Sequence, residues 1–576
     1  MVKEVVLSEN ALQVAQSRYF MNGEDWEKCT FRVADNISNA EGGKKREYRE
    51  KFHEMLYNMD FICGGRILRN AGRTRGSLFN CYVLPIGDSI EEIGQFMKES
   101  LILWSEGGGI GCNFSPLRPR GDEILGKGGV SSGLVSFLEA SDHLSHTIES
   151  GGSRRAAALA CVDVSHPEVM NFIDAKLVHG RLSHYNISVA VTYDFLEAVE
   201  LDADWEFKFK QRSYGKIKAR IIWNKILDNM INCAEPGLLN YSYLTKNNSY
   251  YFDPVVSTNP CGEATLSPHD VCCLGSLVLR NFITGNVNTN WKKLENTIKL
   301  AVRFLDDVID VNKYILKEND IKAHNNRRIG LGVMSLAEYL FAKQLRYGSD
   351  KSVQEIERTM KFVRDCVYQS LIELAVEKGS FPKFDPIAYC KSSFIRKLPV
   401  SLRMDIKEKG VRCVTGMSIA PTGTISLLAD VTSGIEPLFS KSYRREDRVS
   451  SRIYVHPLYK EFVEKKEKLP EWFVDTYDLK PQDHFEVQSA IQRYVDGAVS
   501  KTINLPASTS VNDLSKLLLE YIKDLKGVTV YVDGSRPEQV FNKLSQKEVI
   551  TALQKGSVSD SLSENDVMCN NGSCEI

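Results

Sequence analysis

The residues with the greatest chemical potential in this 576-residue chain lie in "STNPCGEATLSPHDVCCLGSL", residues 257–277, where three thiols, two carboxylates and an amide share one Asn-, Pro- and Gly-rich stretch. If residues 259–263 run extended, alternation places Asn259, Cys261 and Glu263 on one face, with Pro260 and Gly262 pointing away. A thiol flanked by an amide and a carboxylate suits radical chemistry on a diol. The sulfur removes a carbon-bound hydrogen, while the two oxygen-bearing side chains hold and deprotonate a neighbouring hydroxyl. The residues alone also fit a buried turn whose Asn, Pro and Gly serve only the backbone. His269 leaves open a cysteine-nucleophile hydrolase using Cys261. A zinc module of Cys261, Cys272, Cys273 and His269 is the third reading, although these spacings form no paired two-residue knuckles.

Two further segments invite chemistry. In "APTGTIS", residues 420–426, Thr422, Gly423, Thr424 and Ile425 open an apolar run at an expected helix start, where backbone N–H groups can cradle phosphate oxygens. The basic turn "GGSRRAAAL", residues 151–159, supplies Gly152, Ser153, Arg154, Arg155 and Ala156; a solvated turn is the plain reading of it. No cluster has the spacing of a protein metal site. The cysteines that stand singly, Cys29, Cys63, Cys112, Cys161, Cys233, Cys366, Cys390 and Cys413, read as small buried hydrophobes.

Positioning such groups needs a large scaffold, and 576 residues with 43% hydrophobic side chains can build one. Lys plus Arg total 73 against 74 Asp plus Glu, a net charge of −1 that points to no nucleic-acid or anionic-membrane surface. The start, "MVKEVVLSENALQV", resembles neither a secretory nor a transit signal, and no 18-residue apolar run suggests a membrane span. A cytoplasmic protein with reduced thiols is expected. Residues 1–60 predict a helical cap, with Tyr48, Phe52, Leu56 and Met59 near one face. From residue 61 to 540, short apolar segments alternate with amphipathic helices, as when strands are joined by helical crossovers. Asp88 and Glu91 predict a capping box for a helix whose face carries Ile90, Ile93, Met97, Leu101 and Trp104. Longer helical patterns cover about 291–317, 332–345 and 351–379, and "HYNISVAVT" and "KGVTVYVDG" predict strands. The polar segment that closes the 541–576 region predicts a mobile tail.

The pattern "NPCGE" followed by "CCLGS" resembles the finger-loop signature of ribonucleotide reductases. So, in the family's order, do "LFNCYVLP" around Cys81, "GGGIGCNFSPLRPRG", "ESGGSRRAAALACVDVSHPEVMNFIDAK", "NISVAVT", "NRRIGLGVMSLAE" and "APTGTISLLADVTSGIEPLF". The resemblance implies an α/β fold: a ten-stranded α/β barrel of two five-stranded parallel halves around a central finger loop, with a helical N-terminal cap and a flexible C-terminal tail. It implies that ribonucleotides are converted to 2′-deoxyribonucleotides. Cys261 would be the thiyl site that abstracts the 3′-hydrogen, Glu263 the base at the 3′-hydroxyl, and Asn259 a partner of the ribose. Cys81 and Cys272 would be the pair that gives two electrons and ends as a disulfide, with Cys273 competing for the second place and expected to point away. Cys569 and Cys574 would carry electrons to that pair from thioredoxin or glutaredoxin. Thr422–Ile425 would seat the substrate phosphates, and residues 152–156 would couple dNTP or ATP effectors to the choice of base.

Three classes of this family differ in how the radical arises. Tyr531 is followed by Val532, so the tyrosine pair of the metal-dependent class is broken, and no glycyl-radical motif is found. The wording of "APTGTIS", "GGGIG" and "VYVDGSR" is most similar to the adenosylcobalamin-dependent class. A class I catalytic subunit needing a separate metal-containing partner, or an inactive nucleotide-binding homologue, are the alternatives. Only about 60 residues precede the barrel-like pattern, so an ATP cone and strong dATP inhibition are not expected. Monomer and homodimer both fit.

Overall fold

A computed structural model describes residues 5–124, 126, 128–148, 156–178, 180–249, 251–285, 287–446, 451–533, 541–554 and 558–559. The chain opens with helices α1 (Glu9–Arg18), α2 (Trp26–Ile37) and α3 (Lys45–Tyr57). Ser8 and Asp25 cap the first two through their side-chain oxygens. Their apolar stripes bury Val14, Val33, Phe52 and Leu56, and Phe52 meets Phe304 edge-on at 5.2 Å. Met59, expected on the α3 face, lies beyond the helix at φ +54°.

A short helix, α4 (Gly65–Asn70), leads into nine regular staves. They are β1 (Cys81–Val83), β2 (Gly109–Asn113), β3 (Ala158–Asp163), β4 (Tyr185–Val191), β5 (Gly237–Asn240), β6 (Leu274–Val278), β7 (Gly330–Met334), β8 (Thr502–Leu505) and β9 (Gly527–Val532). β1 to β5 pair in parallel and in order, Cys81 opposite Gly109. β5 then meets β9 antiparallel, and β9 runs parallel to β8. Val499, just ahead of β8, pairs in parallel with Ile419; Met417 pairs in parallel with Leu331 of β7; and β7 runs parallel to β6. Val271, ahead of β6, returns antiparallel to Tyr82 of β1. With residues 417–419 as the tenth stave the ring closes as two parallel halves of five, which is the barrel the sequence led one to expect. Closure removes exposed sheet edges. β4 shows why such staves form: "YNISVAV" is β-branched and almost wholly buried, as a parallel strand covered on both faces must be.

Several local expectations give way. Helix α5 (Ile90–Ser105) is capped by Ser89 and Glu92, not Asp88 and Glu91, because Ser89 takes the extended cap conformation (φ −115°, ψ 155°). The Asp88 carboxylate instead accepts from Arg118 N and Nε at 2.9 and 3.0 Å. The buried stripe of α5 is Ile93, Phe96, Leu103 and Trp104, while Ile90 is 59% exposed. The pattern over 291–317 is a helix only to Val311, and a second begins at Lys317. In 332–345, residues up to Met334 belong to β7 and the helix is Leu336–Ala342. A Cβ on Gly332 would lie 2.5 Å from Ser418 O, so that stretch must remain a stave pressed on its neighbour. The helix expected at 351–379 spans Asp350–Lys378. Val558 and Ser559, expected in a mobile tail, pair in parallel with Ile453 and Tyr454.

Candidate functional site

Between β5 and β6 the chain forms a small antiparallel hairpin, Ser257–Thr258 against Thr265–Leu266, whose tip carries Asn259 to Ala264. The hairpin lies inside the ring. A Cβ on Gly111 of β2 would sit 1.8 Å from Thr258 O, and one on Gly109 would sit 3.1 Å from Pro260 Cγ and 3.6 Å from Cys81 Sγ. Asn186 Nδ2 of β4 donates to Pro260 O at 3.3 Å, and Ala498 N, ahead of β8, donates to Glu263 O at 2.7 Å. The tip is therefore gripped from both halves of the barrel, and glycines on β2 leave it room.

Of the two conformations the residues allowed, residues 259–263 take the turn and not the extended run. Gly262 N donates to Asn259 O at 3.0 Å, Gly262 adopts φ +81°, and Asn259 Oδ1 accepts from Ala264 N at 2.9 Å. Asn, Pro and Gly favour this turn over a strand. The turn leaves Asn259 and Glu263 fully buried and Cys261 half-buried.

Burial raises the Glu263 carboxyl to about 7, with the amide of Asn259 opposing only in part. Neither carboxylate oxygen has a well-formed hydrogen bond among the described residues, nor has Asn259 Nδ2. Such unsatisfied buried groups are uncommon in a folded core and mark a place shaped for something else.

Cys272 N donates to Cys81 O at 3.1 Å, which sets the two cysteines opposite each other where β1 meets the segment ahead of β6. Both thiols are buried with Ala264 and Leu266 of the hairpin. Burial first, then the Cys81 sulfur and the Glu263 carboxylate, push the Cys272 thiol well above its ordinary range. Cys273 is turned outward, its Sγ directed at Leu305 O at 3.4 Å, as neighbouring residues in an extended stretch must be. None of the described cysteines is joined in a disulfide.

A cleft adjoins the tip on the β4–β5–β9 side, lined by Asn186, Ser188, Pro260, Cys261, Thr529 and Tyr531. Thr529 is exposed and Tyr531 half-buried, so the cleft leads from solvent to Cys261. His269 is elsewhere engaged: its Nε2 lies 3.1 Å from Glu99 Oε2 and its N donates to Val83 O, which takes from a Cys261 hydrolase its base.

Thr422 stands at φ +54° ahead of the helix Gly423–Leu428, with its Oγ1 accepting from Gly434 N at 2.7 Å. Ala156 is buried at the approach to β3; Gly152, Ser153, Arg154 and Arg155, like Cys569 and Cys574, lie outside the described residues.

Sequence reasoning missed Asn186 and the 496–498 turn. Asn186 did carry a signal, an amide inside the apolar run "HYNISVAVT". Asp496 did not, since "VDGA" reads as any turn. Its buried carboxylate accepts from Gly416 N, Met417 N and Tyr368 Oη at 2.7–2.8 Å, and so fixes the turn that holds Glu263.

The family description "Ribonucleotide reductase, barrel domain" matches residues 79–531, and "Ribonucleotide reductase, all-alpha domain" matches residues 5–76. A protein of Mycobacterium tuberculosis named vitamin B12-dependent ribonucleoside-diphosphate reductase is 34% identical over 95% of this chain and 82% of its own length. One of the same name from Thermoplasma acidophilum is 34% identical over 91% of this chain and 71% of its own. A ribonucleoside-diphosphate reductase subunit alpha of Chlamydia trachomatis is 24% identical over 98% of this chain and 64% of its own. Among the described residues no helix is long and apolar enough to cross a membrane.

Proposed function

The chain belongs to the ribonucleotide reductase family, and from that premise we propose that it reduces ribonucleoside diphosphates to 2′-deoxyribonucleotides in the adenosylcobalamin-dependent manner. The observation that carries this reading is one arrangement: a half-buried thiol at a loop tip inside a closed ring, beside an unpaired buried carboxyl and a facing pair of buried thiols.

In the cycle we infer, the Cys261 sulfur, as a radical, takes the hydrogen from C3′. Glu263 accepts the proton of the 3′-hydroxyl, which weakens the C2′–O bond, and Asn259 holds the same edge of the ribose. The 2′-oxygen leaves as water. Cys81 and Cys272 give up two electrons and two protons in forming their disulfide, so C2′ ends with hydrogen where it held hydroxyl. Cys261 then returns the hydrogen to C3′ and is a radical again, and Glu263 returns the proton to O3′. A base poised near 7 suits that proton transfer, since it ionises within the working range and regains its proton easily.

Adenosylcobalamin, when bound, supplies the radical equivalent that oxidises the Cys261 thiol. The residues that would hold it beside that thiol are those of the open cleft, Asn186, Ser188, Thr529 and Tyr531, which offer polar contacts on a solvent-accessible path. The same reading gives Thr422–Ile425 the substrate phosphates. It gives Cys569 and Cys574 the re-reduction of Cys81 and Cys272 at the expense of thioredoxin or glutaredoxin, and residues 152–156 the reading of dNTP or ATP effectors.

The test is a reductase assay on the purified chain with adenosylcobalamin, a dithiol and either di- or triphosphate substrate. Deoxyribonucleotide formed without a second subunit is the expected result. Activity only after addition of an iron or manganese protein would move the chain to the other class.

A further inference from the structure

Helix α1 ends at Arg18, and the next residue, Tyr19, is 3% exposed although it belongs to the N-terminal helices and not to the barrel. Its ring packs on the start of α4, where a Cβ on Gly65 would lie 3.4 Å from both Cε1 and the phenol oxygen. That oxygen meets Thr424 Oγ1 at 2.5 Å. The carbonyl of Tyr19 accepts from Arg32 Nη2 at 3.3 Å, and the same guanidinium holds Leu68 O, Ala71 O and the Glu24 carboxylate. A second tie runs alongside, from Ser8 Oγ to Asp430 Oδ1 at 2.9 Å, just past the end of the helix Gly423–Leu428. Tyr19 is thus tied at its backbone to a half-buried guanidinium and at its tip to a hydroxyl of the barrel.

A threonine hydroxyl has one proton to give and rotates freely unless a partner restrains it. If the Tyr19 hydroxyl donates to Thr424 Oγ1, the proton of Thr424 is left for another acceptor, and chained hydroxyls strengthen one another. We propose that Tyr19 is a positioning residue for the substrate: it orients the Thr424 hydroxyl to donate to a phosphate oxygen of the ribonucleotide, which makes the N-terminal helices part of the substrate site. This rests on the reading of Thr422–Ile425 as the phosphate seat.

Steady-state kinetics on the full chain with Tyr19→Phe, Thr424→Val and the double variant separate the two. Each single change is expected to raise KM for the ribonucleoside diphosphate about fivefold to tenfold, with kcat/KM falling mainly through KM. The double variant should be no worse than the weaker single one, because the two hydroxyls act in series. Competitive inhibition by the matching nucleoside, which has no phosphate, should not move. A raised KM in Thr424→Val with none in Tyr19→Phe overturns the role of Tyr19 and leaves the phosphate seat standing. No change in either overturns both. Additive effects, or nucleoside inhibition weakened in step with KM, reduce Tyr19 to a packing residue and also overturn the proposal.

Discussion

Glu263 at the fingertip and Asp306 on the helix Trp291–Val311 are both fully buried, yet they end in opposite states. At Glu263 burial drives the proton affinity up to about 7, and no cation opposes it, only the Asn259 amide and a backbone N–H. At Asp306 burial pushes the same way but is outweighed by Arg327 and Arg412, whose Nε atoms lie 2.7 and 3.0 Å from its oxygens, so its carboxyl sits below the ordinary range. Asp307, the next residue, is paired with Lys378 at 2.6 Å and belongs to the same network, which also reaches Glu41 of the N-terminal helices. The network matches charge around Asp306, although at Asp307 burial outweighs Lys378 and raises the carboxyl to about 8. The fingertip has the reverse, a carboxyl kept in the core with its hydrogen-bonding capacity unspent. In the cycle proposed above, the partner of that carboxyl is a sugar hydroxyl.

Exchanging each acid for its amide sharpens the contrast. Glu263→Gln should lower kcat by roughly two to four orders of magnitude, the range for loss of a general base. Its unfolding free energy should shift by less than about 1 kcal/mol near pH 5, because no formed partner is lost. A drop in stability as large as the drop in activity would make Glu263 a scaffold residue. Asp306→Asn should do the opposite and cost about 3–5 kcal/mol in denaturant unfolding, since it strands buried guanidinium charge, while turnover per folded molecule stays near wild type.

The pH dependence of stability gives a smaller effect of known sign. The Glu263 carboxyl holds its proton more tightly folded than unfolded, where its ordinary value is 4.5. Its contribution is therefore fully present below pH 4.5 and is lost as pH rises through about 7. The stability gap between wild type and Glu263→Gln should move in favour of the variant by about 3 kcal/mol across that window and stay flat above it. Asp306 has the other sign: its contribution is present above the ordinary 3.8 and is lost as pH falls through its lower folded value. A gap for Glu263→Gln that does not change with pH would mean that the carboxyl is solvated or paired in solution.

Much of this was legible in the residues, and the exceptions have physical causes. The identities at 259–263 fixed a turn-forming, chemically loaded segment, and β4 and β9 were clear from β-branched alternation. The choice between an extended 259–263 and a turn was not legible, because it is set by Gly262 taking a positive φ that no strand uses. The closing contacts of the barrel were invisible. Residues 417–419 and 499 form single bridges among Gly, Ser and Pro, so no periodicity marks them as staves. The misplaced capping box was an error of one position, set by whether Ser89 or Asp88 faces the first turn. Asp306 carried no signal at all, because what distinguishes it from Glu263 is the arrival of Arg327 and Arg412 from elsewhere in the chain.

In the proposed cycle one sulfur, that of Cys261, begins the reaction and its neighbours complete it. The most direct measurement is turnover of Cys261→Ser beside wild type under identical cofactor and dithiol, together with nucleotide binding to each and the kinetic effect of deuterium at C3′ in wild type. The variant should form no deoxyribonucleotide while keeping its nucleotide affinity, and wild type should turn over the deuterated substrate more slowly. Product from Cys261→Ser at the wild-type rate would contradict the cycle.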